Sequence, residues 1–217
     1  MLRIILMLMV FFITPVLSQT NSVHIDQLGS TNTISITQAG SGNRVGSSLT
    51  PSSLTGSGNS VTVTQTGDTN QLDYNINGSN NTVAITNTGD GNVMTLNCGT
   101  SQAACGDANI AQTLNGNNNT VTSTVVGSTI TNNLTVTGDS NTVTTTQNNS
   151  NGSQTISLTG NTNTVTASQS GTVGHTLNLN VTGNTNTYSL TQSGSVANTL
   201  SINTTGSGNS LTVNQSN

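Results

Sequence analysis

The chain has 217 residues, of which 2% are aromatic and 4% charged, and its formal net charge is −4. So few aromatic side chains exclude a conventional interlocking core. Beyond Arg3 the only Lys or Arg is Arg44, which excludes a basic face for nucleic acid. Thr, Val and Ile abound while charge is nearly absent, a balance that favours strands over disorder.

Residues 1–18 read as a secretory signal peptide. Arg3 supplies the positive end and residues 4–13 the apolar run, and Pro15, Val16 and Ser18 fit cleavage before Gln19. The run is too short to span a bilayer as a helix. The mature protein is therefore expected outside the cell.

Residues 19–217 read as one repeat domain. Its beat is an Asn, a Gln six residues on and a further Asn after eleven. It opens with Asn21 and Gln27, then Asn32 and Gln38. It returns at Asn59/Gln65, Asn81/Asn87, Asn141/Gln147, Asn163/Gln169, Asn186/Gln192 and Asn209/Gln215. A fixed period of this kind predicts a stacked architecture.

With each Asn numbered 0, apolar residues fall at 2 and 4, Gln at 6 and Gly at 8. Side chains alternate along a strand, so 0, 2, 4 and 6 share one face. That face carries Val23/Ile25, Ile34/Ile36, Val83/Ile85, Val165/Ala167, Tyr188/Leu190 and Leu211/Val213, and is expected to be buried. The other face is Ser and Thr, as in Thr142/Thr144/Thr146. Buried amides cost free energy unless they are bonded. Stacked in register about 4.8 Å apart, each can donate to its neighbour in an amide ladder.

Turns separate the strands. Gly67-Asp68, Gly89-Asp90, Gly106-Asp107 and Gly138-Asp139 open four turns of one form. Gly permits positive φ, and Asp bonds back to local backbone. These carboxylates read as solvated groups that discourage misregistered stacking. A calcium-binding repeat would need a denser G-G-x-G-x-D pattern, so no metal is assigned.

Two irregular stretches interrupt the beat, near 44–58, which contains Pro51, and near 97–108. In the second, Cys98 and Cys105 are expected to form a disulfide that pinches the loop, as suits an exported chain. From Asn119 the beat doubles to 22 or 23 residues. Strands with an inward Gln alternate with strands lacking it: Leu134/Val136, Ile156/Leu158, Leu177/Leu179/Val181 and Leu200/Ile202. A coil of about 22 residues thus holds two strands on opposite walls. The predicted fold is an all-β solenoid of strand-turn-strand repeats, assembling as cross-β. The sequence leaves open which wall each early strand joins.

Catalysis finds few candidates. Glu is absent, and Asp26, Asp73, His24 and His175 are too few for a convergent site. The chain is not read as an enzyme, and no cofactor or small-molecule substrate is assigned. Tyr74 and Tyr188 fall at inward positions and are expected to pack.

Between Ser22 and Gln38 the order is Gln27, four residues, Asn32, five residues, Gln38, with Gly29 in the turn. This resembles the repeat of the curlin family, the subunits of bacterial curli fibres. The half-motif of Asn and Gln six apart extends the resemblance over residues 21–217. The chain opens its motifs with Asn where curlin repeats usually open with Ser. The resemblance implies a secreted functional amyloid of biofilm matrix and adhesion. As partners it implies further copies of the chain, a nucleator subunit and an outer-membrane secretion pore. The motifs at 21–27 and 209–215 carry no Lys, Arg or Pro to blunt an edge. Open edges are therefore expected to template head-to-tail addition, and a contact that does not close makes a filament. The alternative is a monomeric solenoid that binds ice, or serves as an adhesin, through outward rows such as Thr142/Thr144/Thr146 and Thr164/Thr166.

Overall fold

The computed structural model describes residues 20–217. The expected signal peptide lies outside these residues. The described chain is built of strands and turns and contains no helix.

The chain winds between two walls. In the first coil β1 (Ser22–Val23) and β2 (Ile25–Leu28) lie on one wall and β3 (Thr33–Ala39) on the other. Next, β4 (Arg44–Val45) and β5 (Ser52–Thr55) face β6 (Ser60–Thr66), and β7 (Gln71–Ser79) faces β8 (Thr82–Thr88). In the fourth coil β9 (Val93–Cys98) and β10 (Cys105–Gly106) face β11 (Asn109–Asn115). β12 (Thr120–Ser128) then faces β13 (Thr131–Thr137), and β14 (Thr142–Asn148) faces β15 (Ser153–Thr159). β16 (Thr164–Gly171) faces β17 (Thr176–Thr182), and β18 (Thr187–Gly194) faces β19 (Thr199–Thr205). β20 (Ser210–Ser216) adds one more level to the first wall.

The strands of each wall pair in parallel and stack position on position. Val143 lies on Val165, and Gln147 on Gln169. The alternation of walls runs from the first coil onward. Asn21 and Asn43 begin first-wall levels, whereas Asn32 and Asn59 begin second-wall levels.

Magnitudes show which residues drive the stacking. The seventh coil buries Val165, Ala167, Leu177, Leu179 and Val181. Full burial of a Val or Leu side chain is worth ~1.5–3 kcal/mol, against ~1 kcal/mol net for an ordinary hydrogen bond. The apolar rows therefore hold the coils together. The amides, costly when unpaired, select the register.

The two irregular stretches are narrower than the sequence suggests. The first wall leaves its ladder after Val45 and resumes at Ser52, and leaves again after Cys98 to resume at Cys105. Arg44 and Val45 remain paired with Ser22 and Val23 on one side and with Gln71 and Leu72 on the other. Successive corner residues lie 22 residues apart from Asn70 to Asn92 but 27 apart from Asn43 to Asn70 and from Asn92 to Asn119. Each insertion is thus a short loop thrown out of a strand that continues in register. Cys98 and Cys105, both buried, are joined by a disulfide across the second loop.

Candidate assembly interface

Asn21, Asn43, Asn70, Asn92, Asn119, Asn141, Asn163, Asn186 and Asn209 stand one above another where the first-wall strands begin. Each Oδ1 accepts the backbone N–H of the next Asn up. Between Asn43 and Asn186 the side-chain amide above donates to it as well. Asn163 gives its N–H and its Nδ2 to Asn141 Oδ1 at 2.9 and 3.0 Å. The second hydrogen of the amide crosses the corner to a glycine carbonyl, as in Asn141 Nδ2 to Gly160 O at 2.8 Å. Inside the stack each such amide has both its oxygen and its nitrogen bonded, which makes its burial tolerable. Asn43, Asn70, Asn92 and Asn119 extend the expected ladder, because the eleven-residue beat places them on this wall once the insertions are looped out.

The second-wall corner is less regular. Asn59 donates to Asn32 Oδ1 and Asn81 to Asn59 Oδ1, through both backbone and side chain. Ala108, Ile130 and Gly152 then take the corner position. His175 restores the bonding. Its Nδ1 accepts the N–H of Asn198 at 3.1 Å, and its Nε2 lies 3.1 Å from Ser170 O. A neutral imidazole with its proton on Nε2 offers one acceptor and one donor, the same pair an Asn side chain offers here. His175→Asn is therefore expected to keep the urea midpoint within the effect of a surface change, ~0.5 kcal/mol. His175→Leu leaves the Asn198 N–H unpaired and is expected to cost ~1–3 kcal/mol in the same titration.

The Gln row is split between the walls. On the second wall Gln38 Nε2 donates to Gln65 Oε1 at 2.7 Å. On the first, Gln169 donates to Gln192 and Gln192 to Gln215, each at 3.0 Å. Three expected rungs do not form. Gln27 stacks on Leu54, is exposed, and has no side-chain hydrogen bond among the described residues. The level above it is the strand interrupted by the insertion, which carries no amide there. Asn87 stacks between Gln65 and Leu114 with neither amide atom paired. Its side chain is one methylene shorter than Gln. Gln147 stacks between Val125 and Gln169 and is likewise unpaired, as is the Oε1 of Gln169 above it, so the row begins only at the Gln169 donor.

The turn carboxylates do more than sit in solvent. Asp68 Oδ1 accepts the Ser41 N–H, Asp90 Oδ1 the Asp68 N–H and Asn117 Oδ1 the Asp90 N–H. The series continues through Asp139, Asn161 and Asn184 at 2.7 Å each. Asp or Asn at this position caps the turn one level below, so its role is acceptance of a hydrogen bond rather than charge. Gly67, Gly89 and Gly138 precede these residues with positive φ. The Gly106-Asp107 turn differs from these. It lies at the other corner, and Asp107 itself takes positive φ, 49°, because Ala108 rather than Asn109 holds the corner.

A buried polar band in the middle of the stack escaped sequence reasoning. Gln112 Nε2 reaches Asn132 Oδ1 at 3.0 Å and Ser123 Oγ at 2.6 Å, and Asn132 Nδ2 reaches Gln154 Oε1 at 2.9 Å. The available signal was the 20- and 22-residue spacing of three amides at inward positions. Tyr74 and Tyr188 pack inward, and burial pushes the Tyr74 hydroxyl up to about 12. Arg44 pairs with Asp73 at 3.2 Å on the outer face, a partly exposed contact worth ~1 kcal/mol or less.

The two ends of the described stack are open. At one end Val23 is 45% exposed, and Ile25, Ile34 and Ile36 are only partly buried. At the other, Leu211 is 37% exposed, with Ile202 and Val213 partly buried. Asn209 Nδ2 is buried yet unpaired among the described residues. One level below, the same atom of Asn186 donates to Gly206 O at 2.9 Å. No described strand lies above β19, so the turn glycine that would supply the matching carbonyl is absent among the described residues.

These features define a parallel β-solenoid with asparagine-lined corners, whose terminal strands are paired on one edge only among the described residues. No protein-family model matches the chain, and no curated protein or solved structure does either.

Proposed function

We propose that the chain is a secreted structural protein whose solenoids join end to end into extracellular, curli-like amyloid fibres. The observation that carries this reading is the unfilled bonding at the stack's end. Asn209 Nδ2 is buried without a partner, in the row where lower levels donate to a glycine carbonyl. Another copy brings such a carbonyl, together with apolar rows to cover Leu211 and Val213. An open strand edge recruits further strands, and a head-to-tail contact that does not close propagates as a filament. The proposed site of action is the cell surface, in matrix or adhesion. The proposed partners are other copies, a nucleator subunit and a secretion pore.

The test is incubation of the chain lacking residues 1–18 at neutral pH, with sedimentation and fibre diffraction of the pellet. Filaments with a meridional spacing near 4.7–4.8 Å, the strand separation, are expected. A persistent soluble monomer would overturn this reading. It would favour a binding solenoid instead, since Thr120, Thr142, Thr164 and Thr187 lie directly above one another on the outer face.

A further inference from the structure

We propose that successive copies join with a half-turn about the stack axis, so that the first wall of one copy continues into the second wall of the next. This rests on the end-to-end reading above.

Three observations favour the half-turn. The first is the placement of the Gln rows. At the start of the stack the bonded glutamines, Gln38 and Gln65, lie on the second wall, and at its end Gln192 and Gln215 lie on the first. With a half-turn, Gln215 meets Gln38 of the next copy and the row runs on to Gln65. Without it, Gln215 meets Gln27, and the row stops at Leu54 one level later.

The second observation is the level count. Among the described residues the first wall has nine levels and the second eight, because β20 stands a half-coil beyond β19. Stacked straight, β1 and β2 of the next copy would rest on β20. Its β3 would then stand two levels above β19, leaving a slot one strand deep, roughly 4.8 Å. Turned by half, β1 and β2 rest on β19, β3 rests on β20, and both walls are filled. The eleven-residue half-repeat permits this, since both walls present Asn, two apolar residues and a fourth inward position in the same order.

The third is the chemistry row by row. In the turned junction Asn32 lies on Asn209, Ile34 on Leu211, Ile36 on Val213 and Gln38 on Gln215. On the other wall Asn21 lies on Asn198, Val23 on Leu200 and Ile25 on Ile202. The unpaired Asn209 Nδ2 then meets the carbonyl of Gly29, which follows β2 as Gly206 follows β19.

Cysteine pairs on the outer face distinguish the two joints. Ser35 and Thr212 become neighbours only with the half-turn, and His24 and Thr212 only without it. Directly stacked Cα atoms about 4.8 Å apart are within disulfide reach. Fibres of the S35C/T212C variant, mildly oxidised and dissolved without reductant, are expected to give a ladder of covalent multimers. Fibres of H24C/T212C are expected to give monomer. The opposite pattern, or fibres in which neither pair cross-links, overturns the half-turn. In images of the unmodified fibre the insertion loops, both on the first wall, are expected on alternating sides in successive copies. Loops on one side only overturn it as well. If neither the variants nor the unmodified chain forms fibres, the end-to-end reading itself falls.

Discussion

Gly138→Val is expected to prevent the fifth and sixth coils from stacking and to remove most of the β-signal in circular dichroism at 25 °C. Gly138 has φ +121°, a backbone conformation that a β-branched residue adopts only under strain. That strain alone is worth ~1–3 kcal/mol. The larger effect is steric. A Cβ on Gly138 would overlap the carbonyl oxygen of Gly160 in the coil above, and Gly160 stands in the same relation to Gly183. The overlapped atom is backbone, so no rotamer change relieves it. Gly160 O also accepts the Asn141 amide, so pushing it aside breaks the corner ladder as well. Folded domains are stable by only ~5–15 kcal/mol, and these losses add at one place. Asp139→Asn, one residue along, is the control. Asn161 and Asn184 already hold that position in the next coils and make the same bond, so a wild-type spectrum is expected. A wild-type spectrum from Gly138→Val would mean that the corner is looser than the glycine row requires.

The parts of this fold that are local in sequence were legible in it. The alternation of inward and outward residues, the apolar rows and the doubled beat after Asn119 all follow from a strand period of two and a coil of 22 or 23 residues. What was not legible is decided by which strand lies above which. Asn21/Gln27 and Asn32/Gln38 are nearly the same motif, yet they stand on opposite walls, and nothing within eleven residues distinguishes them. Gln27 therefore looks like a ladder member, and only the level above, where Leu54 replaces the amide, shows that it is not. The insertions were overestimated for a related reason. Arg44, Val45, Ser52 and Leu54 lack the Asn–Gln beat but keep their places in the ladder, because a parallel stack constrains the backbone at each level and tolerates substitution at any one. His175 is the subtlest case. Its role is visible only when its two ring nitrogens are set beside the oxygen and nitrogen of the asparagines that hold that corner elsewhere.

Asn141→Ala is expected to lower stability by ~3–5 kcal/mol, read as a fall in the urea midpoint. The substitution deletes one acceptor that serves two donors, the Asn163 N–H and Nδ2, and one amide donor that serves two acceptors, Gly160 O and Asn119 Oδ1. Four groups lose a bond, but Asn163 Nδ2 keeps Gly183 O and Asn119 Oδ1 keeps the Asn141 N–H, so the ~1–3 kcal/mol cost of an orphaned buried group falls mainly on the Asn163 N–H and on Gly160 O. The apolar transfer term is small, since an Ala methyl replaces a side chain that was already buried. Asn141→Asp separates hydrogen bonding from shape. The carboxylate keeps the acceptor for Asn163, but it turns its other oxygen toward the Gly160 carbonyl and brings a charge into a corner with no cation to pair it. It is expected to be worse than Ala at pH 7 and to recover part of the loss in acid, where the protonated group again donates to Gly160. Because coils contact only their neighbours, the damage is expected to stay local. Hydrogen exchange should rise in β14 and β16 first, with β7 and β8 keeping their protection. Uniform loss of protection along the stack would mean that the coils unfold as one unit and that the corner ladder couples them over its whole length.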